Sequence, residues 1–159
     1  MNPRLDSVVL EGVSPNLSPF MDADRQQAVT DIAAANHFMP LTGTTKPGPY
    51  ALHLSIAEGR LIFDIRDRYG LPLTAIGLAL GPFRRIVKDY QILIDSHILA
   101  VQEGRESRIQ AIDMGRRGLH NEGADLMLQR LRGKIEIDFD TARRLFTLVC
   151  VLAQRVSAR

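Results

Sequence analysis

The sequence predicts an α+β fold: an antiparallel three- to four-stranded meander, an N-terminal helix, and a C-terminal three-helix bundle packed on one sheet face. Three observations predict it. Between residues 50 and 80, apolar residues alternate with polar ones at period two. After Pro82 the apolar spacing changes to threes and fours. The last stretch, 141–156, is apolar almost all round. With 159 residues, 45% of them hydrophobic, the chain is the size of one domain with one core. It divides into a strand and helix in 1–39, a loop at 40–49, the sheet in 50–80 and the helical part in 81–159.

The elements follow in order. Residues 4–11 read as a short strand on Leu5, Val8, Val9 and Leu10; Pro15 and Pro19 then keep the chain extended. A helix is expected over 22–37, capped by Asp22 or Asp24, with Val29, Ile32, Ala33 and Phe38 as its stripe. The run PLTGTTKPGP at 40–49 has three Pro and two Gly and must be a loop. Strands are expected at 51–57 and 60–67, joined at Glu58-Gly59, and at 71–80 after a turn at 68–70. Pro82 suits the first turn of a helix whose apolar face holds Phe83, Ile86, Val87, Tyr90, Leu93, Ile94, Ile98 and Val101. A second helix is expected over 106–131, broken near Gly115, Gly118 or Gly123 and stopped by Gly133. Residues 134–139 read as extended. Asp138 or Asp140 then caps the final helix, which is either the central pin of the core or a dimer interface.

Composition excludes several function classes. Cys150 is the only cysteine, so no intrachain disulfide and no multi-cysteine zinc site is possible. One thiol and no signal-like start suggest a cytoplasmic setting. The most apolar stretch, 69–83, is too short to span a membrane and is interrupted by Pro72, Gly77 and Pro82. Seventeen of the 20 basic residues are Arg, yet net charge is only +2. The basic excess lies after residue 80, which suits local recognition of an anion better than general coating of nucleic acid.

Residues that break the apolar pattern are the candidate sites. His97 falls in the apolar stripe of its helix, as a paired core histidine or as a base in a pocket. Arg116 falls among Ile109, Ile112, Leu119 and Met127 and needs a carboxylate, from Asp113 or Asp89, unless it awaits an anionic ligand. The segment Asp113-Met-Gly-Arg-Arg-Gly-Leu-His-Asn-Glu-Gly123 is the most chemically loaded of the chain. Arg84, Arg85, Lys88, Arg116, Arg117 and Asn121 are the candidate ligand-binding residues. His120, Glu122 and Asp113 are the candidates for acid–base chemistry, with Arg116 beside them. Arg143-Arg144 is a third arginine pair. Glu136, Asp138 and Asp140 alternate, but a solvent edge with a helix cap explains them better than a metal site. No metal and no cofactor is expected, since no P-loop, GxGxxG, HExxH or GxSxG is present.

Four blocks carry a family resemblance: YALHLSIAEGRLIFDIR, GPFRRIVKDY, AIDMGRRGLHNEGADL and LRGKIEIDFDTARRLFTLVCVL. In this order they resemble the uncharacterised protein family 0262, small alphaproteobacterial proteins with no assigned activity. The resemblance covers roughly residues 50–152; it implies a bacterial cytoplasmic setting and no mechanism. A weaker likeness joins Arg117-Gly-Leu-His-Asn to the phosphoacceptor helix of histidine kinases, with Asn121 in place of the usual acid. Three readings of function follow. The first is a non-enzymatic binding or regulatory module with an Arg-rich surface for a small anion, RNA or an acidic protein. The second is a small enzyme built on His120, and the third an interaction protein that forms a homodimer through its C-terminal helices.

Overall fold

The computed structural model describes residues 2–154. Its main sheet has four strands: β1 (Leu5–Leu10), β3 (Tyr50–Ala57), β4 (Arg60–Asp67) and β5 (Pro72–Ala79), side by side in that order. β3, β4 and β5 form the expected antiparallel meander. The cross-strand pairs Leu52–Ile65, Leu54–Phe63 and Phe63–Ile76 keep the apolar residues on one face, and these side chains are buried. His53, Ser55, Asp64 and Arg66 fall on the other face and remain half-exposed.

The sheet is mixed rather than antiparallel, because β1 pairs parallel with β3. The connection explains this. After β1 the chain crosses through helix α1 (Pro19–Ala34) and the short strand β2 (Phe38–Pro40) before entering β3 in the same direction. A crossover of that length yields a parallel neighbour, whereas a tight turn yields an antiparallel one.

α1 starts earlier than the acidic residues suggest. Ser18 is its N-cap, accepting from the Met21 amide, and Pro19 opens the first turn. Asp22 therefore lies inside the first turn, bound to Arg25 at 2.7 Å, and Asp24 turns toward the interior. The helix ends at Ala34. Asn36 then accepts from the Leu5 amide at 2.7 Å and donates to the Leu5 carbonyl at 3.0 Å, acting as a one-residue strand partner for β1.

Residues 38–40 extend the chain before the loop. β2 pairs antiparallel with β6 (Ile135–Ile137) in a second, two-stranded sheet that periodicity did not disclose. Three-residue strands carry too little pattern to be read from sequence. Pro82 lies in a 3₁₀ turn, Gly81–Phe83, that leads into α2 (Arg84–Gln102).

α3 (Glu106–Leu131) runs unbroken through all three glycines. Packing against its neighbours sustains it where propensity alone would not. Gly123 backs onto the Phe146 ring and Gly115 onto Leu93. α4 (Phe139–Leu152) is capped by Asp138, whose carboxylate accepts from the Thr141 amide at 3.0 Å. Residues 155 and 156 of the expected last helix lie outside the described residues.

Residues 81–154 hold the three expected helices, α2, α3 and α4, and α1 joins them by packing on α4 alongside α3. Leu145, Phe146, Leu148, Val149, Cys150 and Val151 of α4 are fully buried. All of these but Val151 share one continuous core with the sheet residues and with Phe83, Ile86 and Tyr90 of the 3₁₀ turn and α2. α4 is therefore the central pin, covered on most sides by its own chain. The α2–α3 hairpin reaches past this core, so Val101, assigned by periodicity to the buried face, is exposed at the tip.

Candidate functional site

Two polar constellations stand out, one buried and one open. The buried one joins all four helices. Arg116 on α3 donates to Asp24 on α1 at 3.0 Å and approaches Asp113, one turn back, at 3.5 Å. Its guanidinium lies over the Phe20 ring, 5.3 Å from the centroid. Phe20 in turn packs against His97, with ring centroids 4.4 Å apart. Asp24 also accepts from the Tyr90 hydroxyl. Tyr90 stacks on His120 at 5.3 Å, and His120 Nε2 meets the Thr147 hydroxyl at 3.4 Å. That hydroxyl gives its hydrogen to the Arg143 carbonyl at 3.1 Å, which leaves it to accept from the imidazole.

The electrostatics follow from burial. His120 is 6% exposed. Desolvation, then the Arg116 and Arg143 charges, push its pKa down to about 4, so the ring is neutral at pH 7. Burial, then the Asp24 carboxylate, push the Tyr90 phenol up. Burial and Asp24 do the same to the Cys150 thiol. An inert thiol, a neutral imidazole and a protonated phenol around one ion pair make a junction that fixes helix positions.

The enzyme candidates are drawn to different partners. His120 faces Tyr90 and Thr147, Glu122 pairs with Arg85 across to α2, and Asp113 serves Arg116. None of the three lines the groove beside α2 or the one between β1 and α1. The likeness to a phosphoacceptor helix requires an exposed histidine, and His120 is buried. Asp89, the alternative partner for Arg116, pairs with Arg85 instead, at 2.9 Å. Glu136 binds His37 at 2.6 Å, Asp138 caps α4 and Asp140 lies 3.8 Å from Arg143. Among the described residues, no group of three or more His, Cys, Asp or Glu is placed to hold a metal.

The six candidate ligand-binding residues separate. Arg116 is committed inside and Arg85 is held by Asp89 and Glu122. Arg117 and Asn121 are exposed on α3. Arg84 and Lys88, one turn apart on α2, line an open groove of about 620 Å³. Neither has a carboxylate partner among the described residues. Ile56 of β3, Leu80 and Val87 form its apolar wall, and the Arg84 guanidinium reaches the β3–β4 turn at Gly59. Gln91, on the next turn, donates to Asp95 at 2.9 Å, while its carbonyl oxygen is buried with no partner among the described residues. A second groove, about 770 Å³, lies between β1 and α1, and its one cation, Arg25, is bound to Asp22. Sequence reasoning missed Asp24, taken as a helix cap, Tyr90, taken as core, and the groove residues Gln91 and Leu80. Only the fold brings these to their partners.

A family model for the uncharacterised protein family UPF0262 matches residues 2–155. The chain belongs to this family. UPF0262 relatives include a protein of Granulibacter bethesdensis, 64% identical over 160 residues, covering 96% of this chain and 91% of the relative. Another, from Acidiphilium cryptum, is 57% identical and covers 96% and 93%. A third, from Rhizobium leguminosarum bv. trifolii, is 47% identical and covers 96% of each. These UPF0262 proteins are bacterial and carry no assigned activity in their names. No solved structure matches the chain. Among the described residues, no helix is long and apolar enough to cross a membrane.

Proposed function

We propose that this UPF0262 protein is a non-enzymatic cytoplasmic binding module. Its ligand is a small organic anion, a phosphate ester or carboxylate, held in the groove of Arg84 and Lys88. The observation that carries the reading is the pairing state of the arginines. Arg85 and Arg116 are neutralised by carboxylates, while Arg84 and Lys88, beside an apolar wall, have no carboxylate partner among the described residues. A planar guanidinium and an ammonium a turn apart suit an oxyanion, and Ile56, Leu80 and Val87 suit the carbon skeleton attached to it. Asp95 at the groove end disfavours a polyanion such as RNA and favours a ligand with one charged terminus.

Thermal-shift screening with inorganic phosphate, phosphorylated metabolites and small carboxylates tests the reading. A true ligand raises Tm with concentration. That rise is expected to vanish in Arg84→Ala/Lys88→Ala and to persist in Arg117→Ala. If no anion in the panel raises Tm, or the rise survives loss of both groove cations, the groove is not the site.

A further inference from the structure

We infer that the outer face of the α2–α3 hairpin docks a second copy of this chain, knob to recess, about a two-fold axis running along the hairpin. The two helices are antiparallel, and their level is fixed at two points. A side chain at Gly115 would lie 3.4 Å from Leu93, and Arg85 reaches Glu122. Ile92 is therefore level with Gly115 and Arg116, and Leu99 with the first turns of α3.

On the side turned from the core, α2 presents Ile92 and Leu99, each 53% exposed, and α3 presents Met114, 73% exposed. These are large apolar side chains left in water on neighbouring helices. Beside them α3 has Ala111 and Gly118. A Cβ at Gly118 would meet nothing within 4 Å. Intrachain packing gives no reason for glycine there, although glycine weakens a helix interior. The face thus carries two projections on α2 and, on α3, a recess at Gly118 one turn from Met114.

That shape is self-complementary. A two-fold axis parallel to the hairpin lays α2 of each copy on α3 of the other, so each Ile92 arrives over the Gly115–Gly118 stretch opposite. The contact occurs twice, as an isologous interface requires. Charge agrees. Asp95, on the outer rim of α2 where the groove ends, has only the Gln91 amide among the described residues. Arg117 on the outer rim of α3 is exposed, with no carboxylate partner among the described residues. The same axis brings these rims together, Asp95 to Arg117, on both sides of the interface. The final helix offers no such surface, since its own chain covers it.

Sedimentation of the full chain from micromolar to submillimolar concentration tests this. The wild type is expected to form a dimer. Gly118→Leu fills the recess and Ile92→Asp charges the knob; each is expected to raise the dimer Kd about tenfold or more while leaving circular dichroism unchanged. Both positions are exposed, so the fold tolerates them. Asp95→Arg is expected to weaken the dimer, and Asp95→Arg/Arg117→Asp to restore it. The inference is overturned by a wild type that stays monomeric throughout, or by a dimer indifferent to Gly118→Leu and to the charge exchange. A monomer that gains mass only with a different protein, or with lipid vesicles, overturns it as well. Gly118→Leu and Ile92→Asp leave every residue of the Arg84–Lys88 groove unchanged, so ligand binding there is tested separately.

Discussion

Acidification should unfold this protein by way of His120. In the folded chain its pKa is about 4, against 6.5 for a free imidazole. Between those values the unfolded chain binds a proton that the folded chain refuses, so stability falls as pH falls. The difference corresponds to a full effect of about 3 kcal/mol. About 1 kcal/mol of this is lost by pH 5.5 and about 2–3 kcal/mol by pH 4.5. For a domain of this size that is a large part of the folding free energy. The control is His120→Phe, which keeps a ring stacked on Tyr90, cannot titrate, and leaves the Thr147 hydroxyl bonded to the Arg143 carbonyl. Urea denaturation at pH 7.0, 5.5 and 4.5 measures both proteins. The wild type should lose stability over this range and the variant should lose about 2 kcal/mol less. Equal losses would refute the assignment, because carboxylates titrating elsewhere would then account for the whole slope.

Two further substitutions probe the helix junction. Gly123→Ala would set a methyl group on the Phe146 ring, which must then retreat by more than about 1 Å in a fully buried site. The strain should outweigh the gain in helix propensity and destabilise the protein by about 1–2 kcal/mol in urea melts. A variant as stable as the wild type would mean that α3 and α4 pack with slack. Arg116→Met leaves Asp24 without its cation and should cost about 2–3 kcal/mol. Tyr90→Phe removes one hydrogen bond to the same carboxylate and should cost about 1 kcal/mol. The reverse ranking would mean that the phenol, not the guanidinium, holds Asp24.

The meander was legible in the sequence because its period-two pattern and tight turns are local. The long helices were legible because their stripes run for many turns. β1 was found as a strand, but its parallel pairing depends on the crossover through α1, which no local pattern encodes. The two-stranded β2–β6 sheet joins segments almost a hundred residues apart. The same limit applies to the sites. Arg116 was marked by an arginine in an apolar stripe, yet its principal carboxylate, Asp24, lies 92 residues away. Asp113, the nearby candidate, is the more distant contact. Arg84 and Lys88 were visible as charges, but that they border an apolar groove follows from where β3 and Leu80 end.

The buried position of α4 also bears on synthesis. Translation delivers the sheet first and α4 after every other described element, yet α4 fills the centre against which α1 and α3 close. While residues 139–152 are still in the ribosomal tunnel, the nascent chain can pair β3, β4 and β5. It cannot bury Phe83 against Phe146. The unfinished chain therefore shows apolar surface on both its sheet and its helices. A ribosome that stalls before codon 139 holds a chain ready for chaperone capture rather than a smaller folded unit.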